Sequence, residues 1–402
     1  MKLYINNEVV IVNNPFENTI FIYNRVLHQK YDINEDMFNI LEYIYNNYGI
    51  TLEELTKNYL DIEDIINELI KMNIIKTTRQ KKLHNIKKLE KEDYARLFVE
   101  LTDKCNLRCK HCYGSFNIAN ENYLSIAELD KVIKEAVKLN VYQFDLTGGE
   151  PLLYKDLETI LNKLYNSGML VTIFSNLTNN NKETLDLLEK YHVKKVITSI
   201  DSHIPDVHDE FRGVKGSLER TLQSIKYLRK TGIEIGVNTM VGKHNLDHIE
   251  ETIKFIKELN LPCVLDAIIP SGRAKNLQED MYAAVQKIHD LYTSPIINID
   301  LQITDCGVGT RFLYIKSNGN ICMCPSLTEF TFGNLKKGDT VKSAWQKMHK
   351  TYKNLYCHKE CSKKDKCKGG CRARAYHFNN DIYSEDLNSC ILAGECIYGE
   401  NK

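Results

Sequence analysis

The sequence has no apolar run near the ~20 residues needed to cross a bilayer. That excludes a membrane-spanning chain. Met1 to Val12 alternates polar and apolar residues rather than forming a targeting segment, so a cytoplasmic protein is expected. Neither charge is in excess: Lys+Arg and Asp+Glu are 53 each, which gives no reason to expect nucleic acid or an anionic membrane as a partner. No Ser/His/Asp arrangement and no pair of catalytic acids stands out, as is usual where cofactors carry the hard chemistry and the protein supplies orientation. Length and apolar content, 402 residues and 43% hydrophobic, suffice for two or three domains, each with its own core.

Cysteine is plentiful, with 13 in the chain, and in a reducing compartment these are metal ligands or free thiols rather than disulfides. Cys105, Cys109 and Cys112 stand in CNLRCKHC, a C-x3-C-x2-C spacing that can wrap three thiolates around one face of a cuboidal cluster. Four thiolates usually hold a [4Fe–4S] cluster. Three leave one iron open to a substrate or cofactor. Zinc is the rival, since His111 lies inside the triplet. A structural zinc site would bring a second CxxC or a His pair close by, whereas the next cysteine is Cys263. The spacing therefore favours iron–sulfur.

The N-terminal region reads as two short strands, EVVIVN (Glu8 to Asn13) and TIFIYN (Thr19 to Asn24), followed by helical periodicity at Met37, Ile40, Leu41, Ile44 and Tyr45. Thr51 with Glu54 forms a capping-box pattern, and Asp61 is placed to cap IEDIINELIKM. The basic run Thr77 to Lys91 reads as a solvated linker. From Leu97 strand and helix alternate, with strands expected at 97–102, 142–147, 169–175, 195–200, 233–238 and 263–269 and helical segments between them, such as Ser125 to Leu139, Lys155 to Ser167 and Gly216 to Thr231. Six βα units imply an α/β fold with a parallel, barrel-like sheet. Chemistry in such sheets gathers at the carboxyl ends of the strands. The cysteine triplet follows the first of these strands, and GGEP (Gly148 to Pro151) follows the second.

CNLRCKHC followed by GGEP resembles the CxxxCxxC signature and the SAM amino-group motif of the radical S-adenosylmethionine (radical SAM) superfamily. The resemblance implies a partial (β/α)6 barrel over 95–300 and a [4Fe–4S] cluster on Cys105, Cys109 and Cys112, whose open iron chelates SAM. Gly148, Gly149, Glu150 and Pro151 then belong to the SAM site. Ser175-Asn176 ends the third strand where relatives often carry Thr-Asn-Gly, a partial match because Leu177 replaces the glycine. Ser199-Ile200-Asp201 is similar to the family's SID segment, with HDEFRG (His208 to Gly213) downstream. Asn176 and Ser199 are thereby candidates for SAM contacts, as are Asn238 and the Arg273 of PSGR; ordinary strand-end capping is the competing role.

Residues 1–80 resemble the PqqD-like recognition element fused to enzymes that modify ribosomally made peptides, with 81–94 as linker. Such an element binds a leader peptide by strand addition, here at the edge Thr19 to Asn24 beside the third helix, Asp61 to Asn73. The C-terminal region, 301–402, resembles the SPASM auxiliary-cluster domain in its cysteine order: Cys306, Cys324, then CHKECSKKDKCKGGC (Cys357, Cys361, Cys367, Cys371) and Cys390, with TFGNL and AWQKM between. Its one departure is three residues, where the common pattern has two, between Cys357 and Cys361. The resemblance implies two more [4Fe–4S] clusters, one on Cys306, Cys324 and Cys371 and one on Cys357, Cys361, Cys367 and Cys390. Cys322 would share a strand face with Cys324 if the segment is extended, and could complete the first of these; otherwise that cluster keeps an open iron for a substrate thiolate. Cys263 reads as a buried small hydrophobe, and Cys396 is unassigned.

The resemblance thus implies a radical SAM/SPASM oxidoreductase with three [4Fe–4S] clusters and SAM, reduced by flavodoxin or ferredoxin. It would form a 5′-deoxyadenosyl radical, take a hydrogen atom from a precursor peptide bound through its leader, and pass an electron to the auxiliary clusters. Thioether formation of the sactipeptide or ranthipeptide type is the first expectation, with carbon–carbon cross-linking or epimerisation as rivals. A sulfatase-maturase-like formylglycine-forming enzyme would not be expected to carry the N-terminal module. A non-catalytic protein on this scaffold would have lost a triplet cysteine or GGEP, and both are intact.

Overall fold

The computed structural model describes residues 1–402 except 16, 91–93, 278, 294–306, 309–310, 353–354, 368 and 394–402. Cys306 and Cys396 lie outside the described residues. The chain opens with β1 (Tyr4–Ile5), β2 (Val9–Asn14), β3 (Thr19–Asn24) and β4 (Gln29–Asp32), then α1 (Glu35–Asn46), α2 (Leu52–Thr56), α3 (Glu63–Lys71), β5 (Ile75–Lys76) and β6 (Ile86–Lys88). Asn34 caps α1 by accepting from Met37 N, and Phe38, Ile40, Leu41 and Ile44 turn inward. The Thr51/Glu54 capping box forms as expected. Asp61 does not cap α3. It adopts φ +56°, and the helix begins after Ile62 with no side-chain cap; a short polar side chain suits a left-handed turn residue as well as a cap.

Two further expectations for this region are corrected. The sheet order is β4-β3-β2-β6, so Thr19–Asn24 is paired on both sides and is not an edge. The open edge is β4, three of whose four residues are exposed. Residues 81–94 are not a plain linker either, because β6 pairs in parallel with β2. Asn85 Nδ2 donates to Asn6 O and Val9 O at 3.0 and 2.9 Å, and Leu83, Ile86, Lys87 and Leu89 are buried.

The central sheet is built from β7 (Arg96–Glu100), β8 (Gln143–Thr147), β9 (Leu170–Phe174), β10 (Lys195–Ser199), β11 (Glu234–Val241) and β12 (Cys263–Ala267), all parallel and in chain order. Helices α4 (Ile126–Lys138), α5 (Leu157–Asn166), α6 (Lys182–Lys190), α7 (Pro205–Arg212), α8 (Ser217–Leu228) and α9 (Ile249–Glu258) fill the crossovers, and α10 (Glu279–Thr293) follows β12. The free side of β7 pairs with β13 (Phe312–Ile315), which continues into β14 (Asn320–Cys322) and β15 (Thr331–Asn334). The barrel therefore stays open, and the C-terminal region extends its sheet instead of forming a detached unit. One core runs from Tyr94 to Ile382. The remaining helices are α11 (Val341–Thr351), α12 (Lys364–Cys367), α13 (Arg372–Asn379) and α14 (Leu387–Ala393).

The N-terminal sheet presses Val10, Val12, Phe21 and Tyr23 against Leu89, just after β6, and against Ala95, Tyr142 and Leu170, residues at or just before the starts of β7, β8 and β9. Arg25, wholly buried, donates to Tyr165 O at 2.8 Å and to Asn7 O, with its guanidinium 4.0 Å from the Tyr165 ring centre. The module thus covers the amino ends of the barrel strands, opposite the cysteine loop.

Candidate active site

At the carboxyl ends of the strands a cavity of about 200 Å³ is walled by Cys105, Cys109 and Cys112 after β7, Gly148 and Gly149 after β8, Asn176 after β9, Ser199 ending β10, Asn238 in β11, and Arg212 and Arg273. The triplet cysteines and the expected SAM-site residues therefore come together, with two exceptions: Glu150 and Pro151 lie behind the wall. Glu150 is fully buried. Its carboxylate accepts from Leu152 N at 3.0 Å, Ser175 Oγ at 2.7 Å and Asn176 N at 2.8 Å, joining the ends of β8 and β9. Burial pushes this carboxyl up to about 7 against the pull of those donors.

The cysteine loop is clamped from three sides by backbone hydrogen bonds. Gly149 N and Glu150 N donate to Thr102 O and Lys104 O at 2.8 and 2.9 Å; Arg108 N and Lys110 N donate to Arg212 O and Phe211 O; Arg273 N donates to Cys112 O. The closeness of the first clamp needs glycine, since a Cβ at either Gly148 or Gly149 would lie 2.3 Å from a loop carbonyl oxygen. Arg273 spends its side chain on the same loop, donating to Cys109 O at 2.8 Å and Phe116 O at 2.9 Å. Leu177 occupies the glycine position of the Thr-Asn-Gly pattern with φ +54°, fully buried.

Each triplet sulfur has a donor. Cys105 Sγ accepts from Leu107 N at 3.4 Å and Asn176 Nδ2 at 3.9 Å, Cys112 Sγ from Phe116 N at 3.4 Å, and Cys109 Sγ from Arg212 Nη1 at 3.8 Å. Burial, with the charge of Glu150, pushes the Cys105 thiol up to about 12, and burial raises Cys109 despite Arg212. Ligation therefore has to displace protons held by burial. Among the described residues no three Cys, His, Asp or Glu side chains gather tightly enough for a single metal ion. Cuboidal-cluster thiolates each bind a different iron and stand further apart than that. His111 is stacked on Phe211, which stacks on His244, and burial drives it down to about 3. Three thiols on one cavity wall, each facing an N–H donor, fit a [4Fe–4S] cluster with an open iron.

Sequence reasoning missed the pair Asp201 and Arg212, although both lie in the SID and HDEFRG segments. Arg212 Nε donates to Asp201 Oδ2 at 2.5 Å, both side chains being buried. It also missed Glu100, which ends β7 buried and accepts from Tyr314 OH, Ser317 N and Ser317 Oγ, tying the C-terminal hairpin to the barrel.

In the C-terminal region Cys357 N is 3.3 Å from where a Gly369 Cβ would lie, and α12, which ends at Cys367, packs on α14, which holds Cys390. Cys371 N donates to Asp386 Oδ2 at 2.8 Å. Cys322 ends β14 and the chain bends at Met323, so the extended segment that would align it with Cys324 is not present. Its sulfur instead contacts Thr328 O at 3.6 Å and Thr331 Oγ1 at 3.5 Å. Cys263, half-buried, contacts Thr239 Oγ1 at 3.5 Å. A second cavity of about 550 Å³ adjoins the first at Tyr113 and is walled by Glu100, Ser115, Ser271, Tyr314, Lys316, Pro325, Thr328 and His377. The Ser271 hydroxyl is buried there without a partner among the described residues.

Residues 99–256 match the Radical SAM superfamily model, and that family implies a [4Fe–4S] cluster and S-adenosylmethionine. The AdoMet-dependent heme synthase of Methanosarcina barkeri is 29% identical over 73% of this chain and 95% of its own length. The antilisterial bacteriocin subtilosin biosynthesis protein AlbA of Bacillus subtilis is 26% identical over 79% of this chain and 76% of its own. The fold is similar to that of Streptococcus suis SuiB, solved bound to its precursor peptide SuiA, with TM-score 0.66 and 14% identity over 97% of this chain and all of SuiB. Among the described residues no helix is long and apolar enough to cross a membrane.

Proposed function

We propose that this chain, which carries a radical SAM domain, modifies a ribosomally synthesised precursor peptide by joining a cysteine sulfur to a peptide carbon. Cys105, Cys109 and Cys112 hold the [4Fe–4S] cluster, and SAM lies against Gly148, Gly149, Asn176 and Ser199. When bound, the pair supplies one-electron chemistry able to take a hydrogen atom from an unactivated carbon. The chain's own residues position the reactants and exclude water. Cys306, Cys324 and Cys371 hold a second cluster, and Cys357, Cys361, Cys367 and Cys390 a third, making roughly 12 iron per chain. With Cys322 turned toward Thr328, Cys306, Cys324 and Cys371 alone would hold the second cluster, which could then take the peptide thiolate as its fourth ligand. Flavodoxin or ferredoxin supplies electrons.

The observation that carries this reading is the second cavity, whose wall includes Tyr113 next to Cys112 and Pro325 next to Cys324. A peptide residue there lies between the SAM site and the C-terminal cysteines, where hydrogen abstraction and sulfur capture have to meet. The similarity to AlbA, a bacteriocin biosynthesis protein, and to SuiB, solved bound to its precursor peptide, supports a peptide substrate. Residues 1–80, with β6 from the following segment, form the leader-binding module, 95–300 the barrel and 301–402 the auxiliary-cluster region. The leader adds to β4. A five-residue barrel strand is about 17 Å long, so leader and reacting residues are separated by at least about five extended residues.

Incubation with SAM, a reductant and a cysteine-containing precursor peptide should remove a pair of hydrogen atoms per bridge and release 5′-deoxyadenosine. Alkylating the peptide thiols first should stop bridging. Continued hydrogen loss from blocked peptide would replace this reading with carbon–carbon cross-linking, and modification without net mass change in ordinary water with epimerisation.

A further inference from the structure

We propose that Arg212, held in place by Asp201, sets the reduction potential of the cluster on Cys105, Cys109 and Cys112. The inference rests on that ligand assignment. Arg212 ends α7, and its side chain is 8% exposed against 0% for Asp201. Nε donates to Asp201 Oδ2 at 2.5 Å, Nη1 to Cys109 Sγ at 3.8 Å, and Nη2 has no acceptor among the described residues. A guanidinium needed only for an ion pair would not leave a buried N–H unpaired at a cavity wall.

The pair is rigid. Asp201 Oδ1 accepts from Met240 N at 3.1 Å and Asp201 O from Asn245 Nδ2 at 2.7 Å, while Asp201 N donates to His208 Nδ1 at 3.2 Å. The Arg212 carbonyl is fixed by Arg108 N at 3.1 Å. The guanidinium therefore cannot swing away from Cys109. A charged donor on a cluster thiolate draws off electron density and favours the reduced state, the recognised effect of hydrogen bonds to cluster sulfurs. The neutralising Asp201 lets that donor act without placing net positive charge on the cavity wall.

The two partners make opposite predictions. Arg212→Gln removes a cation and leaves a buried anion, so the potential falls. Asp201→Asn leaves the cation unbalanced, so it rises. A merely structural pair would shift both the same way, through a loosened site. The measurement is EPR at set potentials on full-length protein reconstituted with iron and sulfide, without peptide, the relevant signal being the one that changes when SAM is added. Arg212→Gln should lower the reduced-to-oxidised ratio at a fixed potential about tenfold, which is 59 mV for a one-electron couple. Asp201→Asn should raise it, Arg212→Lys should fall between wild type and Arg212→Gln, and the other clusters should not move. Shifts of the same sign, or none, would overturn the proposal. Should Arg212→Gln lose its cluster, Asp201→Asn and Arg212→Lys still decide, an unmoved potential in both being fatal. If the wild-type triplet binds no iron, the ligand assignment fails instead.

Discussion

Gly149→Ala probes the contact that positions the cysteine loop. A Cβ there would stand 2.3 Å from Lys104 O, 2.6 Å from Lys104 C and 2.8 Å from Asp103 O, where real contacts stay above 3.0 Å, so the loop has to retreat by about 0.7 Å. All three atoms are backbone just ahead of Cys105, and no side chain can rotate out of the way. The same movement stretches the Gly149 N to Thr102 O and Glu150 N to Lys104 O bonds, at about 0.5–1.5 kcal/mol each, and overpacking adds about 1–3 kcal/mol. The total is a few kcal/mol, below the 5–15 kcal/mol typical of whole-domain stability. The variant should therefore fold with Cys105 displaced. Misplacement of about 1 Å can cost on the order of 100-fold in rate. Iron analysis should show a partial loss, less than the third of roughly 12 iron that one whole cluster represents, SAM cleavage should fall by about two orders of magnitude, and far-UV circular dichroism should be unchanged. Replacing the three cysteines together should remove that whole third and abolish SAM cleavage. Full iron with wild-type SAM cleavage in Gly149→Ala would refute the reasoning.

Lys30→Pro tests the leader edge: Ile33 N bonds Ile20 O and antiparallel ladder bonds skip alternate residues, so the Lys30 N–H faces outward. Its loss should weaken precursor binding at least about tenfold, measured by calorimetry, with little change in Tm; unchanged affinity would leave the module a structural role only. Lys87 is buried with Nζ unpaired among the described residues, and burial, aided by Arg25, lowers it to about 7. Because its folded value lies below its unfolded one, stability should decline as pH falls from about 10.5 toward 7. Lys87→Met should abolish that slope and raise stability at pH 7 by up to a few kcal/mol, and a parallel pH dependence of Tm in both proteins would disprove it. Leu177→Gly should relieve about 1 kcal/mol of left-handed strain but lose a fully buried side chain worth about 2–5 kcal/mol. A net destabilisation in denaturant melts is expected, and a more stable variant would show that the strain outweighs the packing.

The barrel was legible because parallel strands buried on both faces read as apolar runs. Five of the six expected strands contain the observed one within a residue or two; β11 alone runs on past its expected end, to Val241. The cysteine loop was legible because its spacing is local. Strand order was not, since nothing within Thr19–Asn24 records that Gln29–Asp32 and Val9–Asn14 flank it on both sides. The basic run around Lys87 misled for a related reason. Its charges suggest solvent, yet Ile86 points into the N-terminal core, and pairing with β2 then carries Lys87 to the opposite, equally covered face.

Polar residues at the site were the least legible, because what they do depends on partners far along the chain. Glu150 looks like a ligand within GGEP, but Ser175 and Asn176 claim its carboxylate from 25 and 26 residues away. Arg212 looks like an ordinary last-turn cation on α7, favourable there against the helix dipole. Its backbone carbonyl instead receives Arg108 N, which draws the cysteine loop onto the end of the helix, and its Nη1 meets a sulfur 103 residues earlier. The helix periodicity that buries His208 and Phe211 also commits Arg212 to the interior. Once it is there, desolvation requires an anion, and Asp201 at the end of β10 supplies it. The SID and HDEFRG segments are then two halves of one buried pair.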